Sequence, residues 1–186
     1  MQAFLLTIIF TISFGQNSYT FFSLSKAMEN PNQVERLILE KQKLRSIPDS
    51  LNIFPYLKEL DLSKNKIDFL GAEIGECTEL QTLKLGNNQI STVPPQIGKL
   101  VQLRELDLSR NKIDQLPIEM GKLMNLEVLT LHGNAITKLP HTIEDLTNLK
   151  LLDLRQMEIT EMQLKSLHQA LPETKILYTV SCNCGF

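Results

Sequence analysis

Tryptophan is absent from this 186-residue chain, and three tyrosines and eight phenylalanines leave it poor in aromatics. Its core must therefore be aliphatic, and its surface has few of the side chains that anchor tight interfaces. A basic excess is missing too: 19 Lys and Arg stand interspersed with 21 Asp and Glu, for a formal net charge of −2. That balance excludes a general attraction to nucleic acid or to an anionic membrane. No Asn-x-Ser/Thr sequon, phosphate loop or cluster of metal-ligand residues occurs, so neither a cofactor nor a metal site is expected.

Cysteine is scarce, with three in all. Cys77 occupies a position that later parts of the chain fill with Leu100, Leu123 and Leu146, and it reads as a small core hydrophobe. Cys182 and Cys184 lie together near the C-terminus, a spacing open to a local disulfide, a link between two chains, or two sulfurs of a metal site. Two thiolates with no His or third Cys nearby do not make a zinc site, which favours an oxidised pair.

Long apolar runs are missing as well. Phe4 to Phe14 is uncharged and apolar, too short to span a bilayer comfortably, and Ser13-Phe14-Gly15 puts small residues where a signal peptidase reads. Residues 1–15 are therefore expected to be a cleaved secretory signal, although no Lys or Arg precedes the run. Export, to the periplasm or beyond, follows, with no stable membrane insertion after cleavage. If the run is not a signal, the chain is cytoplasmic.

What is abundant is leucine, at fixed intervals. Units begin at Val34, Leu57, Leu80, Leu103, Leu126 and Leu149, each 23 residues after the last, and the third and fifth residues past each start are leucine in every copy. Such a period means a stack of supersecondary units, each covering its neighbour's apolar face. The opening of a unit, such as Leu103-Arg-Glu-Leu106-Asp-Leu108, alternates apolar and polar, as a short strand with one buried face does. Eight residues after the start come Asn65, Asn88, Asn111 and Asn134, a column able to satisfy backbone groups where the chain leaves each strand. Gln42 and Met157 replace it in the end units. The second half of a unit, as in Ile113-Asp-Gln-Leu116-Pro117, has a proline that forbids a long helix or a second ladder. Glycine then follows at Gly75, Gly98 and Gly121, read as tolerating a tight return bend.

The pattern Leu-x-x-Leu-x-Leu-x-x-Asn-x-Ile-x-x-Leu-Pro-x-x-Ile-Gly-x-Leu-x-x resembles the leucine-rich repeat superfamily. Within it, the chain is similar to the 23-residue class of Ras-binding scaffolds and exported bacterial proteins. The resemblance implies an α/β fold, a short right-handed solenoid with a concave parallel β-sheet and a convex side of extended segments and short helical turns. It further implies a protein or peptide partner. Leu70-Gly71 and Met162-Gln163 depart from the Leu-Pro pair.

Both ends carry cap signals, as expected of a finished stack. Leu24, Ala27 and Met28 fall at helical spacing before Asn30-Pro31, and Thr160-x-x-Gln163 is a capping-box pattern ahead of Leu164, Leu167 and Leu171. Ile176 and Tyr178 lie 24 residues after Leu152 and Leu154, which predicts a closing strand. The expected layout is a signal peptide at 1–15, an N-terminal segment and cap helix at 16–33, six repeats at 34–171, and a closing strand and tail at 172–186.

On the concave face the non-leucine strand positions form three columns. The near one reads Arg36, Glu59, Thr82, Glu105, Val128, Leu151; the central one Ile38, Asp61, Lys84, Asp107, Thr130, Asp153; the outer one Glu40, Ser63, Gly86, Ser109, His132, Arg155. Charges alternate across rungs, so Lys84 is expected to neutralise Asp61 and Asp107. Val128 and Leu151 break the pattern as an apolar pair, with Thr130 and His132 beside them and Lys84 and Arg155 at the margins, and Asp107 and Asp153 complete the set. These eight residues are the expected partner-binding site. Six strands about 4.8 Å apart, each about five residues long, offer a face on the order of 400 Å², against roughly 800 Å² per partner in a standard interface.

A non-catalytic, exported interaction module is the function expected. An intracellular signalling scaffold is the alternative if the apolar run is no signal. A hydrolase is remote: Asp61 and Asp107, two rungs or about 9.6 Å apart, approach the separation of inverting glycosidases, but on an open sheet without a cleft. Ser109 and His132 lack a third group or an oxyanion site.

Overall fold

Alternation at the start of every unit produces strands, and the fixed period stacks them. The computed structural model describes residues 19–179. The apolar run Phe4 to Phe14 and the Cys182–Cys184 pair lie outside the described residues, and with them the signal and disulfide readings.

Eight strands form one sheet in chain order, every neighbouring pair parallel: β1 (Thr20–Phe21), β2 (Arg36–Ile38), β3 (Glu59–Asp61), β4 (Thr82–Lys84), β5 (Glu105–Asp107), β6 (Val128–Thr130), β7 (Leu151–Leu154) and β8 (Lys175–Tyr178). Partners from β2 to β7 are the residues 23 apart, as in Leu60↔Leu83 and Leu106↔Leu129. The closing strand keeps the expected offset of 24, Leu152 facing Ile176 and Leu154 facing Tyr178. β1 was not foreseen. It pairs Thr20 with Arg36 and Phe21 with Leu37, and two residues outside the repeat are too short for any periodicity to announce them.

The leucine columns are fully buried, among them Leu37, Leu60, Leu83, Leu106, Leu129 and Leu152, and Ile67, Ile90 and Ile113 close the core from the other half of each unit. On the convex side the chain makes single turns of 3-10 helix at Ala72–Glu76, Pro95–Lys99, Ile118–Lys122 and His141–Asp145. Pro94, Pro117 and Pro140 sit at the N-caps of the last three with extended backbone, where a missing N–H costs nothing.

The glycines of these turns do a different job from the bend that the sequence suggested. Gly133 is the one glycine at positive φ among the described residues, so Gly75, Gly98 and Gly121 are not there for left-handed backbone. A Cβ on Gly75 would lie 2.7 Å from the carbonyl oxygen of Gln96, one on Gly98 2.7 Å from that of Glu119, and one on Gly121 2.8 Å from that of Thr142. Glycine is required because each turn presses against the backbone of the next.

Asparagine closes the other corner of each unit. Asn88 Nδ2 donates to Leu62 O and Leu85 O at 3.0 and 2.9 Å while its Oδ1 accepts from Ile67 N at 3.0 Å. Asn65, Asn111 and Asn134 repeat the arrangement. Each strand-end carbonyl from Leu62 to Leu108 therefore accepts from two successive asparagines, and the rungs are sewn together. In the first unit Gln42 instead donates to Phe22 O at 2.9 Å.

Helices stand at both ends of the described stack. α1 (Leu24–Glu29) buries Ala27. α2 (Glu161–Ala170) has the full capping box, Thr160 accepting from Gln163 N and the Gln163 side chain accepting from Thr160 N, and buries Leu167 against the last repeat.

Candidate functional site

Strand pleat puts two of the three predicted columns on one face, with Arg36, Glu59, Thr82, Glu105, Val128 and Leu151 in register, and Ile38, Asp61, Lys84, Asp107, Thr130 and Asp153 beside them, while the outer column from Glu40 to Arg155 lies just past the strand ends. The rungs are where the sequence put them; the side chains are not all so arranged.

Lys84 does not neutralise the aspartates. Its Nζ reaches diagonally to the near column, 3.7 Å from Glu59 Oε1 and 3.9 Å from Glu105 Oε1. Asp61 and Asp107 turn the other way, each Oδ1 accepting from the backbone two residues on, Ser63 N at 2.9 Å and Ser109 N at 2.8 Å. An aspartate here ends its strand through a local turn, which rung position cannot reveal. One oxygen of each candidate glycosidase carboxylate is thus committed to the fold. Ser109 is only 4 % exposed, and His132 turns its Nδ1 away to within 3.2 Å of Asp153 Oδ2, so the serine–histidine dyad is not assembled.

Val128 and Leu151 are neighbours as expected, each half-buried rather than fully exposed. Thr130 beside them is also half-buried. The large apolar side chains that are exposed, including Phe69, Ile118 and Met124, lie elsewhere.

Asp153 is the most enclosed charge on this face, at 4 % exposure. Arg155 holds it with a two-pronged grip, Nε to Oδ1 at 2.9 Å and Nη2 to Oδ2 at 2.7 Å, with Arg155 N adding a third contact at 3.2 Å. Burial alone pushes this carboxyl up, but those Arg155 contacts and nearby His132 outweigh it and hold it below the ordinary value. The same pairing raises Arg155. Asp153 thereby positions Arg155, whose side chain remains 54 % exposed.

Ion pairing divides the face. Arg36 binds Glu59 at 2.6 Å, and Lys84 links Glu59 to Glu105, so the near column of β2–β5 is a connected network. Along the adjacent rim, Lys58 pairs with Glu35, and Glu127 takes both Arg104 and Lys150. Glu127 is held below its usual value chiefly by the Lys150 hydrogen bond, and Glu40 chiefly by Lys64. These rim pairs join second residues of successive units, and reading that column would have found them.

Among the described residues no group of three or more His, Cys, Asp and Glu is placed to hold a metal, and no helix is long and apolar enough to cross a membrane. A hollow of about 860 Å³ lies off the concave face beside α2 and is lined by Leu116, Leu139, Met162 and Ser166 among others.

Two family models match. One described as a leucine-rich repeat region covers residues 95–181, and one described as leucine rich repeat covers 32–90 and 55–113. Among solved structures, a leucine-rich repeat protein of Leptospira interrogans is 28 % identical over 78 % of this chain and 44 % of its own, with a TM-score of 0.60. A TDR receptor is 29 % identical over 73 % of this chain and 24 % of its own, with a TM-score of 0.62. The functional domain of InlJ from Listeria monocytogenes shares the fold at 24 % identity and a TM-score of 0.66, over 85 % of this chain and 31 % of its own. The chain spans less than half the length of each. A comparison with curated proteins finds no significant match.

Proposed function

Because the chain belongs to the leucine-rich repeat family, whose domains commonly bind proteins, we propose that it is a non-catalytic interaction module. Its partner, a protein or peptide, docks on the concave face over β5–β7. The observation that carries this reading is the uneven pairing of charge. A partner centred on β3 and β4 must disturb the whole network of Arg36, Glu59, Lys84 and Glu105, whereas one over β5–β7 meets only its Glu105 end, and desolvating charges that are already paired repays little. Over β6 and β7 the near column is Val128 and Leu151 and the centre Thr130 and Asp153; Asp153 is already buried at 4 % exposure, so little exposed charge has to be stripped there, while Arg155 and His132 stand at the margin to orient the partner. Lys84 and Asp107 border this patch, and Asp153 serves it by holding Arg155.

Area supports a partner that extends past the sheet. Eight strands about 4.8 Å apart measure about 34 Å across, but most are three residues long, about 10 Å, rather than the five expected, which gives on the order of 340 Å², well short of the roughly 800 Å² per partner of a standard interface. The rim of strand-end loops would have to contribute.

Export is part of the same proposal and rests on the apolar run Phe4 to Phe14 followed by Gly15. The mass of the mature N-terminus tests it: a chain starting at Gln16 supports export, and intact Met1 on cytoplasmic protein supports the scaffold alternative. For the interaction itself, the test is affinity capture from the native compartment with wild-type chain and with Val128→Asp/Leu151→Lys. The double variant should fold and lose the captured protein. A partner retained undiminished by the double variant contradicts the patch.

A further inference from the structure

The loop that follows each strand places one residue per rung in a column along the rim of the concave face: Lys41, Lys64, Asn87, Arg110, Gly133 and Gln156, all at positive φ between 50° and 70°. Each of the first five donates its N–H to the carbonyl of the outer-column residue in the following rung, as Arg110 does to His132 O at 2.7 Å and Gly133 to Arg155 O at 3.2 Å. Five of the six residues take this left-handed conformation with a full side chain. The backbone there tolerates a side chain, so what distinguishes Gly133 is the space it leaves.

Next to it lies a hollow of about 220 Å³ lined by Arg110, His132, Arg155, Gln156 and Thr179. Two arginines and a histidine line it, with no carboxylate-bearing residue among the described residues of the lining. Among the described residues Arg110 has no acidic partner within 4.0 Å. Arg155 spends two of its side-chain N–H bonds on Asp153 and has three of its five left. Asp153 fixes that guanidinium from beneath, so the donors are aimed before any ligand arrives. His132 has its Nδ1 shut off from solvent, without a hydrogen-bond partner among the described residues though 3.2 Å from Asp153 Oδ2. A side chain on Gly133 would crowd the gap between two residues of that lining, since even a Cβ would stand 3.3 Å from Arg110 Cγ and 3.5 Å from Gln156 Oε1.

We propose that this notch is a carboxylate-binding subsite: an Asp or Glu side chain of the protein partner enters the gap at Gly133 and is bound between the guanidinium groups of Arg110 and Arg155. Planar, pre-oriented guanidinium donors suit a carboxylate. The subsite adjoins the patch at Val128 and Leu151 and supplies rim area that the sheet lacks. It rests on the concave-face reading, naming the chemistry of the partner's contact.

The test is an NMR titration of the full chain with N-acetyl-glutamate amide, with N-acetyl-glutamine amide and with inorganic phosphate, following the amides of Gly133 and Gln156. Saturable shifts with the glutamate probe, absent with glutamine, are expected. Two variants keep the backbone and remove the site: Arg110→Asn takes a guanidinium away, and Gly133→Asn fills the gap, each using the residue that the column already carries at Asn87. Both should weaken the glutamate probe at least fivefold, with thermal melts near wild type. No saturable shift, shifts unchanged in both variants, or phosphate binding without glutamate binding each overturns the proposal. The concave-face reading falls separately, if Val128→Asp/Leu151→Lys leaves partner capture intact.

Discussion

Replacing Asn111 by alanine is the sharpest perturbation of the stack. Asn111 is 8 % exposed; its Oδ1 accepts from Ile90 N at 3.0 Å and its Nδ2 donates to Leu85 O and Leu108 O, both at 3.0 Å, and to Ser109 O at 3.2 Å. Alanine orphans the Ile90 N–H inside the core, which costs about 1–3 kcal/mol. Leu85 O and Leu108 O keep the neighbouring asparagines Asn88 and Asn134, so each carbonyl loses one of two partners at roughly 0.5 kcal/mol. The sum is about 2–4 kcal/mol. Asn134 is half-buried, water can replace part of its bonding, and Asn134→Ala should cost about 1–2 kcal/mol. Urea unfolding measures both, read as a shift in midpoint at unchanged slope. Lys150→Ala, which breaks an exposed pair, is the control at under about 1 kcal/mol. If Asn111→Ala costs no more than that control, the asparagine column does not hold the rungs together and the reasoning fails.

Gly98→Ala should lose about 1–3 kcal/mol because the new methyl meets the Glu119 carbonyl, whereas Gly71→Ala meets only the movable carboxylate end of Glu73 and should stay within about 0.5 kcal/mol; thermal melts of the two variants distinguish them. Cys77, 6 % exposed and with its thiol pushed up to about 11 by burial and then by Glu76, should resist a disulfide reagent at pH 8 in a Cys182→Ser/Cys184→Ser background and react promptly once urea unfolds the chain. Asp153→Asn should destabilise by about 1–3 kcal/mol at pH 7 through loss of charge-assisted bonds to Arg155. Since the folded Asp153 titrates below the ordinary value, its contribution is complete above the unfolded value of about 4 and is lost as pH falls through the folded one. Wild type and variant should therefore converge in urea titrations as the pH is lowered below about 4, and a gap that stays constant on acidification would contradict the ion pair.

The periodicity carried the architecture because a strand buries alternate residues and a stack repeats its register, so Leu60, Leu83 and Leu106 could be aligned before any coordinate was known. The asparagine column and the Thr160–Gln163 box were legible for a like reason: each acts within its own unit or on the next. What could not be read were choices between two directions open to one side chain. Asp107 faces Lys84 by register and yet bonds Ser109 N; Lys84 passes over the aspartates to Glu59 and Glu105. Gly98 looked like a bend and is a contact between turns, because sequence shows which residue has no Cβ but not what stands where the Cβ would be. β1 lies outside the period and offered no pattern. The apolar pair Val128 and Leu151 was found by columns, and so was the rim network once second positions were aligned; the notch at Gly133 needed the column of left-handed residues, which emerges only from backbone angles.

Binding measured on purified partner decides the central claim, that the concave face over β5–β7 is the docking surface. Calorimetric titration should give a dissociation constant raised at least tenfold by Val128→Asp/Leu151→Lys and unchanged by Ile118→Asp/Met124→Asp, whose parent side chains are exposed outside the strands. Loss of binding in the Ile118/Met124 variant, with the Val128/Leu151 variant at wild-type affinity, would contradict it.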